Sequence, residues 1–319
     1  MLRPLSRIIR RLTYYREWFL DAKAYLKSST VLGYIHCHAG QQKESELTRL
    51  YHSLEKGLCM PDFHPRSGES TVRCLIAILA DNETLQEMNA GQVAAARSVL
   101  HAYRARHDQL GVDVSDFCAG WTEDMPESSF RQWSPVSEKD ATTFSRVMMS
   151  RKSIRNFKTD RIPDRPIIET AIRQAITSPS VCNRQTWRVH AFQGDKTQQL
   201  LALQSGNRGF GHTIPLLLII TSDMRSFTGA EERYQPWIEG GLFSMSLLLA
   251  LHAQGLGAVA LNWSVRNKVD LTLHQRAGIP AHERVILMIG CGFPVEGALV
   301  PASKRRDESS ILDWNEPSC

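Results

Sequence analysis

Apolar residues recur at intervals of three and four through the first third of the chain. They fall into short runs and alternations later on, so the pattern predicts a helical part followed by a part mixing helices with strands. Leu5, Ile8, Ile9, Leu12, Phe19, Ala22 and Leu26 form one stripe within residues 1–27. Leu47, Leu50, Tyr51, Leu54 and Leu58 form another over 42–58. After a loop at 59–70, helices are expected at 70–79 and, as one Ala-rich element, at 83–106, with Gly111 as its stop. From 112 to 135 the periodicity disappears, which reads as a linker packed on the rest through Trp121 and Trp133.

Ser137 and Asp140 then form a capping box for a helix through Met149, and Asp164 opens another through Ile176. Short apolar segments at 188–192, 216–221, 258–262 and 285–290 predict strands. Residues 238–254, ended by Gly255, are apolar almost all round; such a helix is expected to be buried on nearly every side, in a core or at a subunit interface. The expected organisation is a helical N-terminal domain plus linker at 1–135 and an α+β domain at 136–319.

Composition narrows this picture. The longest apolar runs, near 216–220 and 247–251, fall well short of the ~18 residues a membrane span requires. Seven cysteines without C-x-x-C spacing suggest reduced thiols and a cytoplasmic setting. Residues 1–27 carry seven Lys and Arg against Glu17 and Asp21, which accounts for the whole formal charge of +5. That basic amphipathic helix has two readings, peripheral attachment to an anionic membrane or nucleic acid, or an opening helix that packs its stripe on the protein. The second is the commoner arrangement and is the expectation here; no nucleic-acid partner is expected.

Arg151, Ser153 and Arg155 alternate, so in an extended segment they share a face carrying two guanidiniums and a hydroxyl. Such a face suits a phosphate ester. A second basic cluster, Lys304, Arg305 and Arg306, lies near the C-terminus. Taken singly, each cluster reads equally as solvated surface. His52, Glu55 and Lys56 fall on one helical face, either to meet a polar substrate or as a surface cluster. His36 and His38 flank Cys37, but alternate side chains without a second ligand pair do not make a metal site, and none is expected.

In chain order, Arg151/Ser153/Arg155, Pro179/Ser180/Asn183/Gln185/Trp187, Gly255/Leu256/Gly257, Gly292/Pro294 and Lys304/Arg305 resemble the motifs of the FMN-dependent nitroreductase family, over about 140–314. The resemblance implies a three-layer αβα sandwich with a central mixed or antiparallel sheet. It also implies a homodimer with intersubunit flavin sites, and ping-pong hydride transfer from NAD(P)H through flavin N5 to an electron-poor acceptor. By resemblance, Arg151, Lys152 and Ser153, with Lys304 or Arg305, hold the phosphate of FMN, and Arg155 sits at the N1/O2 edge. Asn207 meets the pyrimidine, and the backbone of Asn262 and Trp263 faces N5 and O4. Pro179, Ser180 and Asn183 reach the flavin of the other protomer, while Gln185 and Trp187 anchor the turn. Catalysis belongs to the flavin, with protonation completed by solvent or by a nearby donor such as Tyr234.

Thr186 stands where the family commonly has proline, Val181 and Cys182 replace smaller residues, and the 222–237 connection is short. The N-terminal domain is therefore expected to cover the flavin, with His52, Glu55 or Lys56 near the substrate pocket. The stretch at 51–58 resembles a signature of long nitroreductase-like proteins, some encoded in polysaccharide biosynthesis clusters. That leaves two alternatives open: a substrate-specific flavin dehydrogenase or oxidase acting on a polysaccharide-related metabolite, and a flavin-binding scaffold recruited by its basic helix.

Overall fold

The computed structural model describes residues 2–30, 40–118 and 130–315. A first group of helices comprises α1 (Leu2–Ser28), α2 (Gly40–Leu58), α3 (Glu69–Leu79), α4 (Asn82–Gln86), α5 (Ala90–Gln109) and α6 (Ser115–Cys118). Leu47, Leu50, Tyr51 and Leu54 of α2 meet Val72, Leu75 and Leu79 of α3 and Ala96, Val99, Leu100 and Tyr103 of α5 in one core. The spacing of three and four residues puts each set on one face.

Two expectations for this part are corrected. The single helix over 83–106 is broken, because Asn89 adopts an extended conformation and its side chain accepts from the amides of Gly91 (2.9 Å) and Gln92 (3.3 Å). An N-cap inside an Ala-rich run competes with continuing the helix and wins. The segment at 112–135 does not pack through Trp133, which is 83% exposed, and Trp121 lies outside the described residues. Its attachment runs instead through Val114, Phe117 and Cys118, which join the helical core.

The second group comprises α7 (Glu138–Ser150), α8 (Arg165–Ala175), β1 (Trp187–Gln193), α9 (Asp195–Leu201), β2 (Leu216–Asp223), α10 (Gln235–Ala253), β3 (Gly257–Asn262), α11 (Asn267–Ala277) and β4 (Glu283–Gly292). The strands form one antiparallel sheet in the order β1-β2-β4-β3. Side chains alternate across it. Leu216, Leu218, Ile220 and Ile289 face α8 and α10, while Leu217, Ile219, Val259 and Met288 face α9 and α11. Covered on both faces, the sheet makes an α+β, three-layer arrangement. Ser137 caps α7 by accepting from the amide of Asp140 at 3.1 Å.

The apolar helix α10 is only partly buried within the chain. Phe243, Leu247 and Leu251 enter the core, but Trp237, Ile238, Leu242 and Met245 remain exposed along the opposite side. Helix α7 buries no residue and leaves Phe144 and Met149 outside, and residues 299–315 run exposed, with Leu299 and Trp314 in the open.

Helix α1 overturns the expectation that its stripe packs on the protein. Ile8, Leu12, Tyr15, Phe19 and Leu26 are all more than half exposed. The helix is held by its other side, where Tyr25 is buried with Met224 and Phe227 and Glu17 accepts from the amide of Asn267 at 2.8 Å. One anchoring tyrosine and a polar contact fix the helix without using the stripe. Among the described residues, no helix is long and apolar enough to cross a membrane.

The seam between helices and sheet is mostly polar. Ser45 Oγ donates to Ser226 Oγ (2.8 Å), Arg188 Nη2 to Gln41 Oε1 (3.0 Å) and Asn183 Nδ2 to the Tyr51 hydroxyl (3.4 Å).

Candidate functional site

The segment after α7 lies along the edge strand β3. Ser153 pairs with Ala258 in a parallel bridge, and the amide of Ile154 donates to the carbonyl of Ala258 at 3.1 Å. Gly257 makes this approach possible, since a Cβ there would come 2.9 Å from Ile154 Cγ1. Phe157 bridges to Pro294, and Gly292 lies so close to Pro215 that a Cβ would sit 2.6 Å from its ring. The glycines and proline of the sequence motifs therefore set close backbone packing around the basic segment.

Arg151 ends α7, and the exposed Arg155 places its guanidinium 5.9 Å from the Phe210 ring centre. This brings the segment to the turn that holds Asn207. There Asn207 Nδ2 donates to the carbonyls of Leu201 (2.8 Å) and Gln204 (2.5 Å), and the buried Gln204 donates from Nε2 to the carbonyl of Asn262 at 2.9 Å. Trp263 Nε1 in turn donates to Asp270 at 2.7 Å. Arg151, Ser153, Arg155, Asn207, Asn262 and Trp263 thus lie around the β3 edge of the sheet, and Gln204, which sequence reasoning missed, ties two of the pieces together.

None of Arg151, Lys152, Arg155, Lys304 and Arg305 forms an ion pair among the described residues. Lys152 donates only to the carbonyl of Met149 (3.2 Å), and Arg155 and Arg305 reach only the Ser153 and Ser303 carbonyls. His252, bonded through Nε2 to Ser150 Oγ at 2.8 Å, is held below the usual histidine range by burial and then by the Arg151 charge. Arg151 and Lys152, without a counter-charge and next to the Ser153 hydroxyl, are the donor set that a phosphate requires and fit the phosphate end of FMN.

The other predicted stretch precedes β1. Cys182, Asn183 and Gln185 all have positive φ, and the turn is bound from within: Ser180 Oγ accepts from the amide of Gln185 (3.0 Å), and Gln185 Nε2 donates to the Asn183 carbonyl (3.1 Å). Trp187 is buried and stacks on Phe243 with ring centres 5.0 Å apart.

Two carboxylates absent from the sequence-derived set hold this turn in place. Arg184, its side chain wholly buried, donates to Glu232 Oε1 at 2.6 Å and to the Ser226 carbonyl at 2.6 Å. Glu239 of α10 accepts from the amide of Val181 (2.8 Å) and the hydroxyl of Thr186 (3.1 Å). Burial pushes the Glu239 carboxyl above its usual range, partly offset by those bonds. Thr186, where proline is common in the family, thus has a use for its hydroxyl. A lone carboxylate in an otherwise apolar helix was the available signal for Glu239.

The remaining candidates are scattered. Lys304 and Arg305 lie on the exposed tail. Tyr234, half-exposed before α10, sits beneath the Arg233 guanidinium (4.3 Å) and lines an apolar cavity of about 420 Å³ with Trp18, Tyr25 and Trp237. His52 and Glu55 pair with each other at 3.0 Å, and Lys56 is exposed. His36 and His38 lie outside the described residues. Pro179, Ser180 and Asn183 stand before β1, one edge of the sheet, whereas Ser153 lies against β3, the other edge. Three strand spacings, about 14 Å, separate those edges.

Residues 148–206 and 192–293 match the model of the Nitroreductase family. The chain is 23% identical over 230 residues to an iodotyrosine deiodinase of Drosophila melanogaster, covering 63% of this chain and 79% of that one. It is 24% identical over 182 residues to an NADH dehydrogenase of Thermus thermophilus, covering 46% of this chain and 85% of that one. A nitroreductase of Desulfovibrio desulfuricans solved in complex with FMN is 22% identical, covers 55% of this chain and 98% of its own, and superposes with a TM-score of 0.47.

Proposed function

We propose that this chain, nitroreductase-like from residue 148 to residue 293, is an FMN-dependent oxidoreductase whose flavin site is completed by a second copy of itself. The observation that carries the reading is the set of cations at Arg151, Lys152 and Arg155, held against β3 without a carboxylate partner. Bound FMN would supply the redox chemistry, accepting a hydride from NAD(P)H at N5 and delivering it to an electron-poor acceptor.

The residues contribute binding and electrostatics. Arg151, Lys152 and Ser153 would hold the phosphate, joined by Lys304 or Arg305 from the exposed tail. The permanent charge of Arg155 would stabilise negative charge at the N1/O2 edge and so raise the reduction potential. Gln204 fixes the carbonyl of Asn262, which keeps the backbone at the end of β3 in one orientation. Pro179, Ser180 and Asn183, on the opposite edge, would serve the partner's flavin, and the exposed apolar faces of α7 and α10 supply a surface on which two copies can pair. The Tyr51–Asn183 contact puts α2 beside that turn, which supports a role for the helical part in covering the pocket.

The test is the absorbance spectrum and extracted cofactor of the purified protein, followed by stopped-flow mixing with NADH and NADPH. Fast bleaching of a bound flavin supports the reading. A colourless protein that takes up no FMN overturns it. The similarity to iodotyrosine deiodinases favours one second reading, reductive removal of halogen from an aromatic acceptor. Iodotyrosine therefore belongs beside nitroaromatics and quinones in the acceptor panel.

A further inference from the structure

The apolar stripe of α1 is left exposed among the described residues, and the charges around it are sorted. At about 3.6 residues per turn, Ile8, Leu12, Tyr15, Phe19, Ala22 and Leu26 fall on one face. All are exposed, Leu12, Tyr15 and Phe19 at 63–68%. Arg11 borders that face on one side and Arg16 and Lys23 on the other, and all three are exposed. The acidic residues of the helix lie away from it: Glu17 and Asp21 turn toward α11, where both accept from the side chain of Asn267, at 3.0 and 3.4 Å, and Glu17 also accepts from the exposed Arg16 at 3.4 Å. The fold thus holds Glu17 and Asp21 against α11 and leaves the Ile8–Leu26 face with Arg11, Arg16 and Lys23 on the outside.

We infer that α1 docks the protein on an anionic lipid surface, lying in the plane of the interface with the Ile8–Leu26 face among the acyl chains and Arg11, Arg16 and Lys23 at the headgroup phosphates. The apolar surface continues beyond the helix. Trp18, Ala22 and Leu26 form one wall of the 420 Å³ apolar cavity whose other wall carries Tyr234 and Trp237, so lipid contact extends onto the start of α10. Aromatic residues at this rim suit a headgroup boundary. Charge complementarity selects lipid over a second copy of the chain, because pairing stripe on stripe would bring together Arg11 and Lys23 of two helices, neither of which meets an anion among the described residues.

The experiment is flotation of the full chain with vesicles of phosphatidylcholine alone and of phosphatidylcholine mixed with phosphatidylglycerol. The wild type is expected to float at least roughly tenfold better with the anionic vesicles, and less so as salt is raised. A Leu12→Ser/Phe19→Ser variant, changed only at exposed positions, is expected to lose flotation while keeping the wild-type melting curve. An Arg11→Gln/Lys23→Gln variant, which leaves the stripe intact, is expected to lose the preference for anionic vesicles. Equal flotation with both vesicle types, no flotation, or variants that float like the wild type would overturn the inference. So would a drop in solution mass in the serine variant, which would assign the stripe to contact between copies.

Discussion

The two edges of the sheet are built on opposite principles. Before β1, nearly every polar group is already answered: Arg184 by Glu232 and a carbonyl, Glu239 by an amide and a hydroxyl, Ser180 by the Gln185 amide. Along β3, the backbone is just as firmly seated, yet Arg151, Lys152 and Arg155 meet no counter-charge among the described residues. A buried charge must be paired inside the fold, whereas a half-exposed cation can wait for a ligand in water at little cost. Backbone order is therefore common to both edges, and charge balance is what separates them.

The largest effect should come from breaking the balanced edge. Arg184→Ala leaves Glu232 and the Ser226 carbonyl without their donor and is expected to cost about 3–5 kcal/mol of stability, read by denaturant unfolding. A loss below 1 kcal/mol would mean that the pair is solvated and the contrast false. Next, Leu242→Asp puts a charge on the exposed face of α10 without touching the core. If that face pairs two copies, the variant should be monomeric by light scattering and lose flavin together with its partner. The often-buried neighbour Leu248 would be a poorer probe, because it already lies in this chain's own core.

At the unbalanced edge, Arg151→Ala should weaken FMN retention by roughly tenfold or more, the range of a hydrogen bond to a charged group, and leave the melting temperature nearly unchanged. Arg155→Ala should lower the reduction potential of the bound flavin, measured by spectroelectrochemistry. If both variants retain wild-type flavin content and potential, the cations at β3 are ordinary surface.

The smallest effect is a difference in pH slope. The Glu239 carboxyl is raised in the fold, so between its unfolded and folded values the native state binds the extra proton, and stability falls as pH rises through that window. For Glu283, burial alone would raise the carboxyl, but bonds from His190 and Thr221 outweigh it and hold it low. Its contribution is present above the unfolded value and is lost as pH falls through the folded one. Glu239→Gln should thus remove the fall in stability just above the ordinary carboxylate range and leave the more acidic limb, where Glu283 contributes, alone.

Helix periodicity, strands and motif order were legible because each is local: Ser137 announces α7, Gly255 closes α10, and Gly257 and Gly292 mark close approaches. What escaped were partners brought together by tertiary packing. Arg184 stands between Asn183 and Gln185 of the turn but looks like any basic residue until Glu232, forty-eight positions later, is placed against it. Asn89 was hidden in an Ala-rich run that favours helix on both sides. The stripe of α1 was visible as a stripe, but periodicity states only that a face exists, and whether protein, lipid or solvent covers it depends on where Tyr25 anchors the helix.

The polar seam between α2 and the sheet bears on how this protein comes apart. Neutral hydrogen bonds such as Ser45–Ser226 and Asn183–Tyr51 have net worth of about 1 kcal/mol each, because water replaces them when the surfaces separate. The helical core has its own apolar interior and would survive such a separation. On gentle heating the helices can therefore release the turn at Asn183 before either core melts, leaving an intermediate in which that turn faces water.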